Sequence, residues 1–269
     1  MTIFEAFWLG ILQGLTEFLP ISSSGHLVIA QAVAGIRNPG MTFEIYVHFG
    51  TLLSILVVFR KDLSALFTSF IEKVKSPRTI ISGYIDDKDY RLLLMLLLAT
   101  IPAGVIGLLF KDFFATTFNN VKFVGFALIL TGIILFVSKF AVNRNKEVWG
   151  KRAVLIGFAQ ALAIFPGISR SGASISTAML SGVSGEQSAR FSFLLAIPVI
   201  AGATLVQLLD MTSSGPGKIS YMIAGVGAVS SFITGTLAIS LLMEVMKKGK
   251  MHYFAGYCIS VGFATIYFI

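Results

Sequence analysis

Charge is what this chain has least of. Only 13% of its 269 residues are Asp, Glu, Lys or Arg, against 55% hydrophobic and a mean hydropathy of +0.85. About a quarter of the residues of a soluble domain are charged, so a soluble globular domain is excluded and an integral membrane protein is implied. Cysteine is nearly absent. The single Cys258 rules out an internal disulfide, and its place in the last apolar segment reads as a small buried hydrophobe. No Lys or Arg occurs before Arg37, so the start lacks the positive region of a cleavable signal peptide. Acidic residues are also few, leaving a net charge of +8. In a soluble protein that excess suggests nucleic acid. In a membrane protein it points to cytoplasmic loops rich in Lys and Arg.

What is present is a series of ten apolar segments, at roughly 2–19, 24–35, 43–60, 91–110, 121–140, 152–165, 172–182, 190–209, 219–243 and 251–269. No composition break separates them, so residues 1–269 read as one polytopic membrane domain. The third, fourth, fifth, eighth, ninth and tenth are long enough to span, given about 20 helical residues per crossing. The second and seventh hold only 12 and 11 residues. At about 1.5 Å per residue they fall short of a core about 30 Å thick. Each follows a proline-containing break. Residues 2–35 and 152–182 therefore read as re-entrant helical hairpins, and the expected fold is all-α, with six transmembrane helices and two such hairpins.

Charge supplies a topology. The stretches 60–91, 139–152, 183–190 and 244–250 carry 16 of the 21 basic residues, Arg78 among them; the opposite set holds only Arg37, Lys111, Lys122 and Lys218. The first set is expected in the cytoplasm and both termini outside.

The chain also repeats itself. Shifted by 147, GILQGLTEFLPISSSG (10–25) lies over GFAQALAIFPGISRSG (157–172) without a gap, with eight of sixteen positions identical. Apolar segments share residues by chance, but a Ser-x-Ser-Gly core behind a proline is harder to dismiss. The charge-derived topology inverts the two copies. Inverted repeats with broken helices build polar sites near the bilayer midplane, so the breaks at 20–25 and 166–172 are expected to face one another.

Polar residues at that depth cost several kcal/mol unless they are partnered or functional. The first break supplies Gln13, Glu17, Ser22, Ser23, Ser24, Gly25 and His26. The second supplies Gln160, Ser169, Arg170, Ser171, Ser174 and Ser176. Arg170 is the one basic residue assignable to no loop, and a buried Arg needs an anion. Glu17 is one partner, as a structural ion pair across the repeat. A phosphate is the sharper one, since a guanidinium matches it bidentately and serine-rich and glycine-rich turns at helix starts offer free N–H groups. Against these stand plainer roles: serine caps for Ser22, Ser23 and Ser24, a hydrogen-bonding spacer for Gln160, a water-facing or structural pair for Glu44 and His48, and interfacial positions for Glu5 and Glu244.

QGLTEFLPISSSGH (13–26) and PGISRSGAS (166–174) resemble the two signatures of the undecaprenyl-diphosphate phosphatase family, the bacitracin-resistance type, in family order. The resemblance implies a hydrolase of the bacterial plasma membrane. It would remove the terminal phosphate of a C55 polyprenyl diphosphate and return the monophosphate carrier of cell-wall synthesis. It places catalytic roles on Glu17, Ser23, His26 and Arg170. Ser22, Ser24, Gly25, Ser169, Ser171 and Ser174 would join Arg170 in holding phosphate. A divalent cation, Mg²⁺ or Ca²⁺, would be held partly by Glu17 and by Gln13, which stands where many members have Glu and so leaves one carboxylate rather than two. Ser23 is the expected nucleophile, with His26 or Glu17 taking its proton, and His26 as direct nucleophile stays open. The partners implied are the polyprenyl diphosphate and membrane lipids, with no nucleic acid; a homodimer is compatible with the sequence. The site is expected to open on the periplasmic or extracellular side. The competing reading is a polyprenyl-phosphate transporter or flippase using the same midplane cavity, because inverted repeats are a transporter architecture.

Overall fold

In a computed structural model that describes all residues except 36–40, 76–79, 118–119 and 215–219 (and no side chains at 41–42, 80–82, 112, 115–116 and 210–214), the chain is helical throughout. The charge assignments of Arg37, Arg78 and Lys218 lie outside the described residues. Thirteen α-helices are described: α1 (Ile3–Phe18), α2 (Ser23–Ala34), α3 (Met41–Val58), α4 (Arg60–Lys75), α5 (Ile80–Asp86), α6 (Lys88–Leu109), α7 (Lys111–Thr117), α8 (Val121–Val137), α9 (Lys151–Leu162), α10 (Arg170–Leu180), α11 (Gly185–Ser214), α12 (Tyr221–Lys247) and α13 (Tyr253–Phe268).

Local chemistry sets the boundaries that matter for the site. Glu5 closes a capping box at the start of α1: its backbone N–H donates to the Thr2 hydroxyl (3.2 Å), and its carboxylate accepts from the Thr2 N–H (2.8 Å). The helix stops at Leu19 because Pro20 has no N–H to continue it. Ser22 caps α2, and Gly35, in the left-handed region at φ 65°, ends it. Asp87 caps α6 through the amides of Asp89 and Tyr90, both 3.0 Å away, and accepts from the Ser69 hydroxyl of α4 at 2.7 Å. Partial burial works against the Asp87 charge, but the Ser69 hydroxyl, these two amides and Lys73 outweigh it and hold the carboxyl below the usual carboxylate range.

Four helices among the described residues are long and apolar enough to cross a membrane: Lys88–Leu109, Val121–Phe140, Gly185–Leu209 and Tyr221–Lys247. A fifth crossing would count α3 with α4, which bend 77° apart at residue 59. Tyr253–Phe268, expected as a span, has 16 residues. Large apolar side chains cover the outer faces, including Ile101, Val105 and Leu108 on α6, Phe126, Ile133 and Phe136 on α8 and Leu237 and Leu241 on α12. An unbroken apolar belt of this kind marks a membrane protein.

Helices α4, α5 and α7 were not foreseen. The apolar positions of α4 (Leu63, Leu66, Phe67, Phe70, Val74) recur every three or four residues between charges, so its average hydropathy is that of a loop. Its place is consistent with the charge sorting. The four basic stretches meet one another: Arg190 pairs with Asp62, Arg91 with Glu147 (2.8 Å), Gly182 accepts from the Arg144 and Lys146 amides (3.0 and 3.2 Å), and a Cβ on Gly185 would lie 3.1 Å from the Met246 carbonyl oxygen.

The packing is reciprocal. Helix α1 packs on α12 as α9 packs on α6; α3 meets α12 as α11 meets α6; and α3 pairs with α11 and α8 with α13. The main core joins these elements through Phe18, Ile55, Phe59, Phe193, Leu195 and Ile239, with Phe18 and Phe193 edge to face at 5.7 Å. The α1–α12 contact depends on small residues. A Cβ on Gly14 would strike the Thr234 hydroxyl and Ser231 carbonyl and lie 2.8 Å from the Gly235 nitrogen. Gly14→Leu is therefore expected to separate the two helices at a cost of about 1–3 kcal/mol, read as a lower melting temperature in detergent. Melting unchanged from wild type would contradict this close approach.

Candidate active site

The two breaks touch. A Cβ on Gly25 would come 3.0 Å from Gly167 Cα and one on Gly172 3.4 Å from the Pro20 carbonyl oxygen. The Ser171 hydroxyl donates to the Leu19 carbonyl at 3.2 Å. The starts of α2 and α10 thus face each other, and their caps match position for position at the repeat offset. Ser22 Oγ accepts from the Gly25 amide (3.3 Å), as Ser169 Oγ does from Gly172 (3.1 Å). Ser22 Oγ lies 3.4 Å from Ser24 Oγ, and Ser169 Oγ 3.2 Å from Ser171 Oγ. One difference is backbone strain: Ser22 sits at φ 71°, a region L residues avoid, whereas Ser169 is extended. Strain of this kind gathers at functional sites.

Glu17 is the hub. It lies on the last turn of α1, one turn after Gln13, and is 8% exposed. Its Oε1 accepts from Arg170 Nη2 at 2.7 Å. Its Oε2 accepts from Gln13 Nε2 at 2.9 Å and from Ser23 Oγ at 2.5 Å. Carboxylate, guanidinium and hydroxyl thus form one continuous string across the two breaks. Charge-assisted bonds of this length are about twice as strong as neutral ones. Two buried atoms in the string have no partner among the described residues: Arg170 Nη1, a donor, and Gln13 Oε1, an acceptor. Buried polar atoms without a protein partner are rare in native proteins and mark places where water, an ion or a ligand group can bond.

His26 is engaged elsewhere. Its Nδ1 is 2.8 Å from the Ser22 carbonyl and its Nε2 2.8 Å from the Tyr257 hydroxyl. Ser174, expected to hold phosphate, donates to the Arg170 carbonyl (2.7 Å) and meets Ser192 Oγ (2.6 Å), so its hydroxyl braces the start of α10. The Ser22, Ser169 and Ser171 hydroxyls likewise bond backbone, whereas Ser23 and Ser24 are only partly buried. Gln160, the repeat mate of Gln13, is 2% exposed, and among the described residues neither of its side-chain polar atoms nor Ser176 Oγ has a partner.

Two contributors, Thr131 and Tyr257, carried no motif, and a third, Gly167, sits in the second signature without an assigned role. Thr131 on α8 accepts from the Ser169 amide (3.0 Å) and donates to the Gly167 carbonyl (2.8 Å), pinning the second break. Gly167 itself, at φ 98°, has no room for a Cβ beside Ala127 and the Val124 carbonyl. Tyr257 on α13 reaches the first break. A lone Thr or Tyr within an apolar run gives no signal, because its hydroxyl can always return to its own helix. His48, read as part of an outlying pair, lies within electrostatic reach of Glu17 and hydrogen-bonds the Glu44 carbonyl through Nδ1 at 2.8 Å.

The model of one protein family, bacitracin resistance protein BacA, matches residues 6–264, including every residue of both breaks. The chain belongs to that family. Curated relatives agree along its whole length. It is 42% identical over 269 residues to the undecaprenyl-diphosphatase of Halothermothrix orenii, covering 99% of this chain and 98% of the relative. The enzyme of the same name from Syntrophotalea carbinolica is 43% identical over 97% of each chain, and that of Korarchaeum cryptofilum 41% over 99% of each. Membership in the family accounts for both motifs at once, since the paired breaks lie inside the matched region.

Proposed function

We propose that this protein is a phosphoric anhydride hydrolase that converts undecaprenyl diphosphate to undecaprenyl phosphate and inorganic phosphate, recycling the lipid carrier of cell-wall synthesis. The observation that carries this reading is the Ser23–Glu17–Arg170 string with a buried guanidinium nitrogen, Nη1, that has no partner among the described residues. The curated relatives carry that activity in their names, and no observation favours transport.

The chemistry follows from the bonds. Ser23 already donates to Glu17, so the carboxylate is placed to take the hydroxyl proton as Ser23 Oγ attacks the terminal phosphorus. The P–O bond to the bridging oxygen breaks, and polyprenyl phosphate departs with that electron pair. Arg170 keeps one nitrogen on Glu17 and offers Nη1 to the phosphoryl oxygens, where charge gathers. Water then attacks the phosphorus on Ser23, the Ser23 Oγ–P bond breaks, Ser23 Oγ takes back the proton that Glu17 received, and the protons of the water leave on inorganic phosphate. His26 lies outside the Ser23–Glu17 bond, its ring nitrogens on the Ser22 carbonyl and the Tyr257 hydroxyl.

Glu17 and Gln13 Oε1 fit a hard cation that arrives with the diphosphate, because Mg²⁺ is usually held by one or two carboxylates together with substrate phosphates. Among the described residues no group of three His, Cys, Asp or Glu could form a cage from protein alone. Bound there, Mg²⁺ or Ca²⁺ would neutralise phosphate charge. Phosphate release from a polyprenyl diphosphate by the detergent-purified protein tests the whole reading. EDTA is expected to stop it and added Mg²⁺ or Ca²⁺ to restore it. A folded protein that leaves the diphosphate intact under all metal conditions would refute the hydrolase reading.

The reciprocal packing and matched caps support an inverted repeat of six spans and two re-entrant hairpins in a plasma membrane, the basic stretches lying in the cytoplasm and both termini outside. A cysteine at Gln31, on α2, is then expected to react with impermeant reagents added from outside intact cells. Labelling confined to inverted vesicles would reverse the orientation.

A further inference from the structure

His26 has both ring nitrogens committed, and the partners differ in kind. The Ser22 carbonyl, 2.8 Å from Nδ1, can only accept, so Nδ1 carries a proton. In the neutral ring Nε2 is then the acceptor, and the atom facing it is the Tyr257 hydroxyl at 2.8 Å, which must donate. The two rings lie within 7° of parallel with centroids 5.6 Å apart. The neighbouring residue makes a second contact with the same break: Cys258 is fully buried with its Sγ 3.7 Å from the Pro20 carbonyl, which Pro20 leaves outside any helix. Consecutive residues of α13 therefore grip both sides of the strained turn at Ser22.

The ordinary account of Tyr257 is a membrane-facing aromatic, for it is 45% exposed. That account needs only the ring. It gives no reason for the hydroxyl to meet Nε2.

We infer that Tyr257 is a positioning residue for His26: its hydroxyl, together with the Ser22 carbonyl, fixes the imidazole as the Nδ1–H tautomer with Nε2 as the acceptor, and so holds in place the turn that carries Ser22 and Ser23. Nothing in either signature motif marks this residue, which lies 231 positions along the chain from His26. The inference rests on the hydrolase reading for its kinetic consequence and on geometry alone for its spectroscopic one. Groups that orient a functional histidine typically matter by about 10–100-fold.

The test is Tyr257→Phe, which keeps the ring and deletes the donor. In protein labelled with ¹⁵N-histidine, the His26 resonances are identified by their loss in His26→Ala, which separates them from His48 and His252. The wild type at neutral pH is expected to show a protonated Nδ1 and an unprotonated, hydrogen-bonded Nε2. Tyr257→Phe is expected to lose the hydrogen-bond signature at Nε2 and populate the second tautomer. Its kcat should fall about 10–100-fold with KM little changed, and it should add no further loss to His26→Ala. A wild-type spectrum with the proton on Nε2 overturns the inference without any assay. So does a Phe variant whose spectrum and kcat both match wild type. A correct tautomer in a protein that releases no phosphate would instead count against the hydrolase reading and leave the positioning contact standing.

Discussion

Ser23→Ala is expected to reduce phosphate release by about 10⁴-fold or more while leaving the fold intact. Removing the nucleophile of a hydrolase that works through a covalent intermediate costs on the order of 10⁶ in kcat. The fold should tolerate the change because Ser23 is only partly buried and its hydroxyl makes one bond, to Glu17 Oε2. The remaining contacts of Glu17, to Gln13 and Arg170, stay in place. Rapid quenching of the wild type should trap phosphate on the peptide containing Ser23, and the Ala variant should trap none. Phosphate found on His26, or activity within tenfold of wild type, would move the nucleophile to the histidine. The present geometry disfavours that outcome, because both imidazole nitrogens are already bonded and neither faces Ser23 or Glu17.

The second large effect concerns Arg170. Arg170→Ala is expected to lower kcat about 10³-fold, since deleting one preorganised donor to a developing oxyanion costs about 10²–10³ and a phosphoryl-binding arginine about 10³–10⁵. It should also destabilise the protein, because stripping one partner from a buried ion pair typically costs about 3–5 kcal/mol. Loss of activity alone would therefore not separate a phosphate-binding arginine from a purely structural pair. The combination Glu17→Gln with Arg170→Gln makes the separation. Two neutral amides can bond each other across the breaks, so thermal stability should recover most of what Arg170→Ala loses. If the pair is structural, activity returns with it. If Arg170 holds the phosphoryl group and Glu17 accepts the proton, the double variant is stable and inactive. Arg170→Lys should lie between, since an ammonium supplies the charge but not the fork that bonds Glu17 and phosphate together.

Sequence made the centre of this protein legible and its margins obscure, for physical reasons. Polar residues in an apolar run are costly, so Glu17, His26 and Arg170 announce themselves. Two short segments behind prolines locate the breaks, and a common offset of 147 pairs them. The structure brings Glu17, Ser23 and Arg170 into direct contact and, of the three serines read as possible caps, seats Ser22 as the cap of α2, while Ser23 turns to Glu17 and Ser169 caps α10 unforeseen. What escaped was anything whose meaning depends on a distant partner. Thr131 and Tyr257 look like ordinary members of apolar segments until α8 and α13 are laid against the breaks. Helix α4 escaped for the opposite reason. Its charges cancel its apolar stripe in any average, and only the period of that stripe distinguishes it from a loop. His48 was visible, but its closeness to Glu17 depends on the packing of α3 beside α1, which no local pattern encodes.

The bond between Glu17 and Arg170 joins residues 153 positions apart. Chains are made from the N-terminus at about 5–20 residues per second, so Arg170 emerges roughly 8–30 seconds after Glu17. During that interval Glu17 exists without its guanidinium partner, and a carboxylate cannot settle into hydrocarbon unpaired without large cost. The ion pair that joins the two breaks is therefore completed only when the second half of the chain has been made. A chain interrupted before residue 170 would carry Glu17 without the guanidinium that answers its charge.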